Sequence, residues 1–419
     1  MPQWNTGPRH VGRWRPEHRH QTRPRIERVL DLVTNIPLPP QAYRELQVFA
    51  NALWLLFQAL CLALAFLAMR ARLGTWLLAR FRSLTTNKYA VAALFGATLC
   101  VTLGIVHAFL VYCYVGLANH ISTNPAPSLM QFLVSRSLEI LAYAAIAAAL
   151  AAIAILLMTA SPKKWWLWAA MAISAITFVG LYAEPYTQDL RPLGASTAEQ
   201  KIRSLTARVN IPPAAVVKES CGSDDCPPGH VIGLGPSRRL VLDSALTSRL
   251  LERELLQVVA HETKHYVLDD NVKAFVAISL LSFLGLFVVD RSSNALIHRY
   301  PRALGFSSLA DPRSVPLMLF AGWCLYLLTL PAISAFRTNV ELEADRFGLE
   351  LNRDNAAFVS VMLKDAKRDP MLIHYTPITR WFRATHPDIA SRIELADIYH
   401  PWLDHRSLAY QAYFTSQDK

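Results

Sequence analysis

The chain has 419 residues, of which 53% are hydrophobic and 17% charged, and its formal net charge is +11. Soluble domains carry about a quarter charged residues, so a chain this poor in charge, with its apolar residues gathered into long uninterrupted runs, is not a simple soluble protein. The Arg and Lys flank those runs or sit in a short head, and no basic stripe interleaves with aromatics, so the excess charge reads as membrane flanks and no nucleic-acid partner is expected.

Residues 1–45 are polar, Pro-rich and Arg-rich without helical period, which predicts a disordered basic head. No apolar core with a small-residue cleavage site follows closely, so the head is not a secretory signal. Six apolar spans come next, at 46–69, 89–117, 138–158, 165–183, 274–289 and 315–336. A helix rises 1.5 Å per residue and about 20 residues cross a bilayer core. The first four spans make a membrane unit over 46–183, and the last two, with a loop, occupy 274–336. The fifth is short enough to be a buried core helix instead. Trp165, Trp166 and Trp168, just after Lys163 and Lys164, read as an interfacial belt.

The polar segment 184–273 begins with a loop and an amphipathic helix within 186–208. Short strands are predicted at 214–218 and within 230–242, with a turn at Gly235-Pro236-Ser237, and a helix over 247–268. Residues 337–419 are again soluble-like and helical, and pair with 184–273 as two parts of one domain. The fold class is therefore mainly α, a multi-span membrane protein with a catalytic domain that carries a small β-sheet. Six spans put the head, 184–273 and the C-terminal segment on one side, but the Arg and Lys counts of the two sides conflict and leave the orientation open. Cys61, Cys100, Cys113 and Cys324 lie inside apolar spans, while Cys221 and Cys226 bracket a polar loop as either a disulfide or two free thiols.

The chemistry sits at Val258-Val259-Ala260-His261-Glu262-Thr263-Lys264-His265-Tyr266. On a helix, positions four apart share a face, so His261 and His265 direct two imidazoles at one ion and Glu262 stands beside it as the base. A catalytic zinc site takes three protein ligands and a water. Glu341, in Asn339-Val340-Glu341-Leu342-Glu343-Ala344-Asp345, is the candidate third ligand, which makes the site gluzincin-like. Asp345, one turn further, would fix a ligand imidazole from outside, while Glu343 points elsewhere.

These motifs resemble the membrane zinc metalloproteases that include the CAAX prenyl proteases and the HtpX-type heat-shock proteases. Glu184-Pro185-Tyr186 with Arg191-Pro192-Leu193, Leu240-Val241-Leu242-Asp243 before the zinc helix, and Glu341 to Asp345 carry the likeness. So do Thr385-His386-Pro387 and Ser391-Arg392-Ile393, and the match covers roughly 184–395. The resemblance implies one Zn²⁺ per chain, His386 as stabiliser of an oxyanion and Arg392 as support of the site. Read on their own, Thr385 and Pro387 form a helix start, Thr385 capping it. The sequence departs from the family at Thr263 and at Lys264, which is expected to face lipid or solvent or else repel the metal. It also lacks the family's Asn-Ala strand motif near Gly229-His230-Val231-Ile232.

The expected function is a zinc-dependent, membrane-embedded metalloendopeptidase of the bacterial plasma membrane, with a peptide or protein substrate that adds as a strand along 230–234. The alternatives are a membrane signal transducer with a zinc protease domain, an inactive scaffold and a transporter. The spans are short of intramembrane polar residues, which speaks against the last.

Overall fold

In the computed structural model, residues 40–121, 128–220 and 228–415 are described. Residues 1–39 of the basic head and the Cys221–Cys226 loop lie outside them, and with them the expectations made there, whereas residues 40–45, expected to be disordered, are helical because they continue the turn pattern of the first apolar span.

Helix α1 (Pro40–Met69) is followed by the amphipathic α2 (Ala71–Arg82), then α3 (Lys88–Ile121), α4 (Leu129–Ala160) and α5 (Trp165–Ala183). Strand β1 (Leu190–Pro192), α6 (Thr197–Ala207), β2 (Val216–Glu219), β3 (Gly229–Ile232) and β4 (Arg239–Asp243) lead to α7 (Leu246–Arg249) and α8 (Glu252–Val267). Then come α9 (Asp270–Arg299), α10 (Pro301–Leu304), α11 (Val315–Asn352), α12 (Asn355–Arg368) and α13 (Ile389–Ile398).

Six helices, α1, α3, α4, α5, α9 and α11, are long and apolar enough to cross a membrane. The chain is a multi-pass integral membrane protein. Large apolar side chains such as Leu138, Ile176, Leu280 and Leu328 are exposed on these helices, a pattern that water disfavours and a lipid solvent accepts. The fifth span settles as such a helix: α9 runs for 30 residues and buries little of its apolar surface in the protein. The Trp belt is only partly present. Trp168 is exposed, but Trp165 is buried and donates through Nε1 to Asp290 at 2.7 Å, because an indole N–H inside the bundle must find an acceptor.

The four strands order as β1-β2-β4-β3, with β1 and β3 antiparallel to their neighbours and β2 parallel to β4. Leu240, Val241 and Leu242 of the inner strand β4 are buried, and β3 is left at an edge. Under the sheet, Ile202, Leu205, Val216, Leu255, Val259, Phe347 and Phe358 join one apolar core. Glu254, buried in the first turn of α8, accepts from Leu251 N at 2.7 Å, Ser360 Oγ at 2.6 Å and Lys364 Nζ at 2.5 Å, which ties α12 to the start of α8. Helix α8 packs closely on α11 because Gly348 faces it: a Cβ there would stand 3.0 Å from the His261 backbone nitrogen. Helix α11 itself runs unbroken from the membrane to the site.

Candidate metal and active site

Helix α8 places His261 and His265 one turn apart, with Nε2 atoms 3.4 Å from each other. Glu341 on α11 comes between them, Oε2 3.3 Å from His261 Nε2 and Oε1 3.9 Å from His265 Nε2. The three candidate ligand atoms all lie within 4.8 Å of one another. Glu341 Oε2 is buried and, although close to His261, is not aligned for a hydrogen bond. A buried carboxylate oxygen without a partner costs free energy unless something else compensates it. Two imidazole nitrogens and one carboxylate, one of whose oxygens is orphaned, converging on one point fit a divalent cation.

Both rings are held from behind. His261 Nδ1 meets Asp345 Oδ1 at 3.0 Å, and His265 Nδ1 meets Asp270 Oδ2 at 2.7 Å. A carboxylate on Nδ1 fixes the tautomer that leaves Nε2 a lone pair for a metal. Asp345 is fully buried and receives Arg392 twice, at 2.8 Å from Nε and 2.6 Å from Nη2. The Asp345 carboxylate raises the Arg392 pKa further still, against the effect of burial. For His261 burial is the strongest influence and would lower its pKa, yet Asp345 and Glu341 push it up to about 10. The negative charge gathered here thus favours a cation beside the two rings.

Lys264 does not face lipid or solvent, nor does it turn toward the ligand atoms. It is fully buried, and its Nζ donates to Asp270 Oδ2 at 2.8 Å and Val340 O at 2.8 Å, with Glu343 at 3.2 Å. Its charge is absorbed by two carboxylates, one of which is the partner of His265. Asp270 was not among the sequence candidates. Its signal is its position five residues past His265, made usable by the left-handed turn at Asp269 (φ 55°), which starts α9 so that Asp270 reaches back.

Glu262 stands in a cleft of about 610 Å³ lined also by Gly229, Gln257, His386 and Arg392. Among the described residues its carboxylate has no hydrogen-bonding partner, so it is free to act on a bound molecule. A Cβ on Gly229 would stand 2.9 Å from Glu262 Cγ, so only glycine lets the edge strand pass this close. His386 sits opposite, Nε2 3.4 Å from Glu341 Oε2 and Nδ1 2.9 Å from Thr385 Oγ1. Enclosure in the cleft lowers the His386 pKa, with Glu341 pulling the other way. Thr385 therefore orients His386 and caps no helix: the cap of α13 is Asp388, whose Oδ1 accepts from Ser391 N at 2.9 Å.

Pro228 O accepts from Asp243 N at 3.2 Å, and the β3–β4 register continues from that pair. Alternate residues of an antiparallel strand face outward, so Gly229 and Val231 present backbone groups to the open edge. Asn271 Nδ2 already donates to Val231 O at 3.0 Å and Gly233 O at 3.1 Å, closing the far end of that edge.

The structure thus brings His261, Glu262, His265, Glu341, Asp345, His386 and Arg392 to one place. Residues 192–398 match the family described as peptidase family M48. Over 241 residues the chain is 25% identical to the metalloprotease YhfN of Bacillus subtilis (strain 168), covering 56% of this chain and 57% of that one. Over 238 residues it is 26% identical to a CAAX prenyl protease 1 homolog of Dictyostelium discoideum, covering 54% and 53%. The matches thus span little more than half the length of these curated relatives. The crystal structure of S. mikatae Ste24p superposes with a TM-score of 0.52 at 17% identity, covering 82% of this chain and 98% of that one, which shows a shared fold.

Proposed function

We propose that the chain, whose residues 192–398 match peptidase family M48, is a zinc-dependent, membrane-embedded endopeptidase that hydrolyses peptide bonds of membrane or membrane-associated proteins. The single observation that carries this reading is the convergence of His261, His265 and Glu341, with ligand atoms within 4.8 Å, beside the unpartnered Glu262. The proposed ligands of one Zn²⁺ are those three residues, with Asp345 and Asp270 holding the two rings. The lipid bilayer surrounds the six apolar helices, and a bacterial plasma membrane is the proposed location.

When bound, the ion supplies Lewis acidity, acidifying water and polarising a carbonyl. Glu262 takes a proton from the attacking water and passes it to the amine leaving the broken C–N bond. His386, oriented by Thr385, donates toward the oxygen that gains charge as the carbonyl becomes tetrahedral, a contribution worth about 10²–10³-fold in rate. Arg392 acts through Asp345, keeping it ionised and aimed at His261. A substrate strand pairs with the outward groups of Gly229 and with the Val231 N–H, the Val231 carbonyl being held by Asn271, which brings the substrate backbone past Glu262. Disrupting that edge with Ile232→Pro should lower peptide cleavage while zinc stays bound, and unchanged cleavage would reject this mode of binding.

The deciding experiment measures zinc content and casein cleavage of the purified protein beside Glu262→Gln. The variant should keep its zinc and lose turnover. Equal turnover in both removes Glu262 as the base, and a protein that binds no zinc removes the whole reading.

A further inference from the structure

One wall of the active-site cleft is a single face of α12. Phe358, Val361, Met362, Asp365 and Arg368 line the cleft at helical spacings of three and four residues, with Asp369 just beyond the helix. Phe358, Val361 and Met362 are buried, so this wall passes from an apolar stretch to a charged end. Helix α8 adds Gln257 and Val258, in the turn before His261.

Two polar groups of this cleft are unmet. Asp369 accepts from Met371 N at 3.0 Å, and Arg392 is committed to Asp345. Asp365 has no such tie: among the described residues its carboxylate has no hydrogen-bond donor and no cation within ion-pair distance. Burial raises its pKa, with Arg392 and then Arg368 pulling the other way, as befits a carboxylate that loses water without gaining a close counter-charge. Gln257 is the second. It is 2% exposed, its Oε1 accepts from Asn352 Nδ2 at 3.0 Å, and its Nε2 is buried without a partner. A desolvated carboxylate and a buried donor both cost free energy while unpaired. An apolar occupant would leave both in that state, and a site built to bond a polar group rejects an analogue that lacks it. A cation on an alkyl stem suits the wall better. Its stem lies along Val361 and Met362, its N–H groups reach Asp365, and Gln257 Nε2 is left for a carbonyl oxygen of the same segment.

We infer that Asp365 sets the specificity of this cleft by receiving a lysine or arginine side chain of the substrate close to the bond that Glu262 attacks. The inference rests on the peptidase reading given above and deepens it by naming the substrate class, peptides with a basic residue beside the cut. Such residues are at hand in the proposed substrates, because Lys and Arg gather where the spans of membrane proteins meet water.

The test digests a library of short random peptides with the full-length, zinc-loaded protein and reads the cuts by mass spectrometry. Lys or Arg should be enriched at one fixed position relative to the cut. At that position, kcat/KM for a lysine peptide should exceed that for its norleucine counterpart, which keeps the stem and lacks the ammonium, by about tenfold or more, the scale of a charge-assisted contact. The ratio should fall to one or below in Asp365→Leu and keep an intermediate value in Asp365→Glu, with zinc content and thermal midpoint reporting that each variant is folded. A wild-type ratio of one, which needs no variant to observe, overturns the inference. So does a lysine preference that survives Asp365→Leu, which assigns it to another carboxylate such as Asp369. Enrichment of Asp or Glu instead assigns the charged end of the wall to Arg368 and also overturns it. Fluorescence anisotropy of the lysine and norleucine peptides on zinc-loaded Glu262→Gln separates this inference from the peptidase reading. Tighter binding of the lysine form there sustains the role of Asp365 even if no turnover is found, and equal binding removes it even if turnover is present.

Discussion

The two imidazoles of the site are held by opposite strategies. His265 is braced locally: Asp270 lies five residues on, and it is fastened by Lys264 and by Lys273 at 2.8 Å. His261 is braced from afar, by Asp345, 84 residues away, which is itself gripped by Arg392 a further 47 residues along. The local brace needs only α8, the turn at Asp269 and the first turn of α9. The distant brace exists only when α11 and α13 have closed on α8. One ring can therefore be oriented early, and the other reports that the whole domain has assembled.

Breaking the distant brace should do the most damage. Asp345→Ala leaves the buried Arg392 without its carboxylate, a change that typically costs about 3–5 kcal/mol. Metal affinity should fall about 10–100-fold as well. Thermal midpoint and metal competition measure the two effects. Asp270→Asn should weaken metal binding by about tenfold. Its stability loss should stay near 1–3 kcal/mol, since Lys264 keeps Val340 O and Glu343. Equal stability losses in the two variants would erase the difference between the local and the distant brace. Lys264→Met sharpens it further: metal affinity should drop only about threefold with a stability change near 1 kcal/mol, because Lys273 still holds Asp270.

The smallest effect serves as a control away from the metal. Glu199 is held at about 2, below its ordinary 4.5, by Ser196 first, then Gly194 and Lys218. A depressed carboxylate contributes stability above its unfolded pKa and loses it as pH falls through the folded value. Acid titration from about pH 4.5 to pH 2 should therefore destabilise the wild type more steeply than Glu199→Gln, by about 1 kcal/mol, with metal affinity at neutral pH equal in both.

The six spans were legible because a lipid solvent asks only for length and apolarity, and Leu, Ala, Val and Ile supply both. Helix α2 was not, since its Leu, Trp and Arg alternate on an interfacial pattern that no span criterion detects. Strand β1 escaped because three residues, one of them Pro192, carry no period. His261, Glu262 and His265 declared themselves by helical spacing. Asp270 did not, because its reach to His265 depends on the backbone turn at Asp269 and not on the spacing of a single helix. Lys264 shows the same limit from the other side. A lysine at that position looks like a surface residue until α9 and α11 bring Asp270 and Glu343 to it.

Helix α11 acts as a ruler. It carries Val315 near one end and Glu341 roughly 39 Å further along its axis. A hydrocarbon core is about 30 Å thick, so with Val315 at the opposite face, Glu341 emerges just beyond the acyl chains, at headgroup depth. On the proposed peptidase reading, a bond offered for hydrolysis would then meet the site at the level of the phosphate layer, neither sunk among the tails nor held far out in the water.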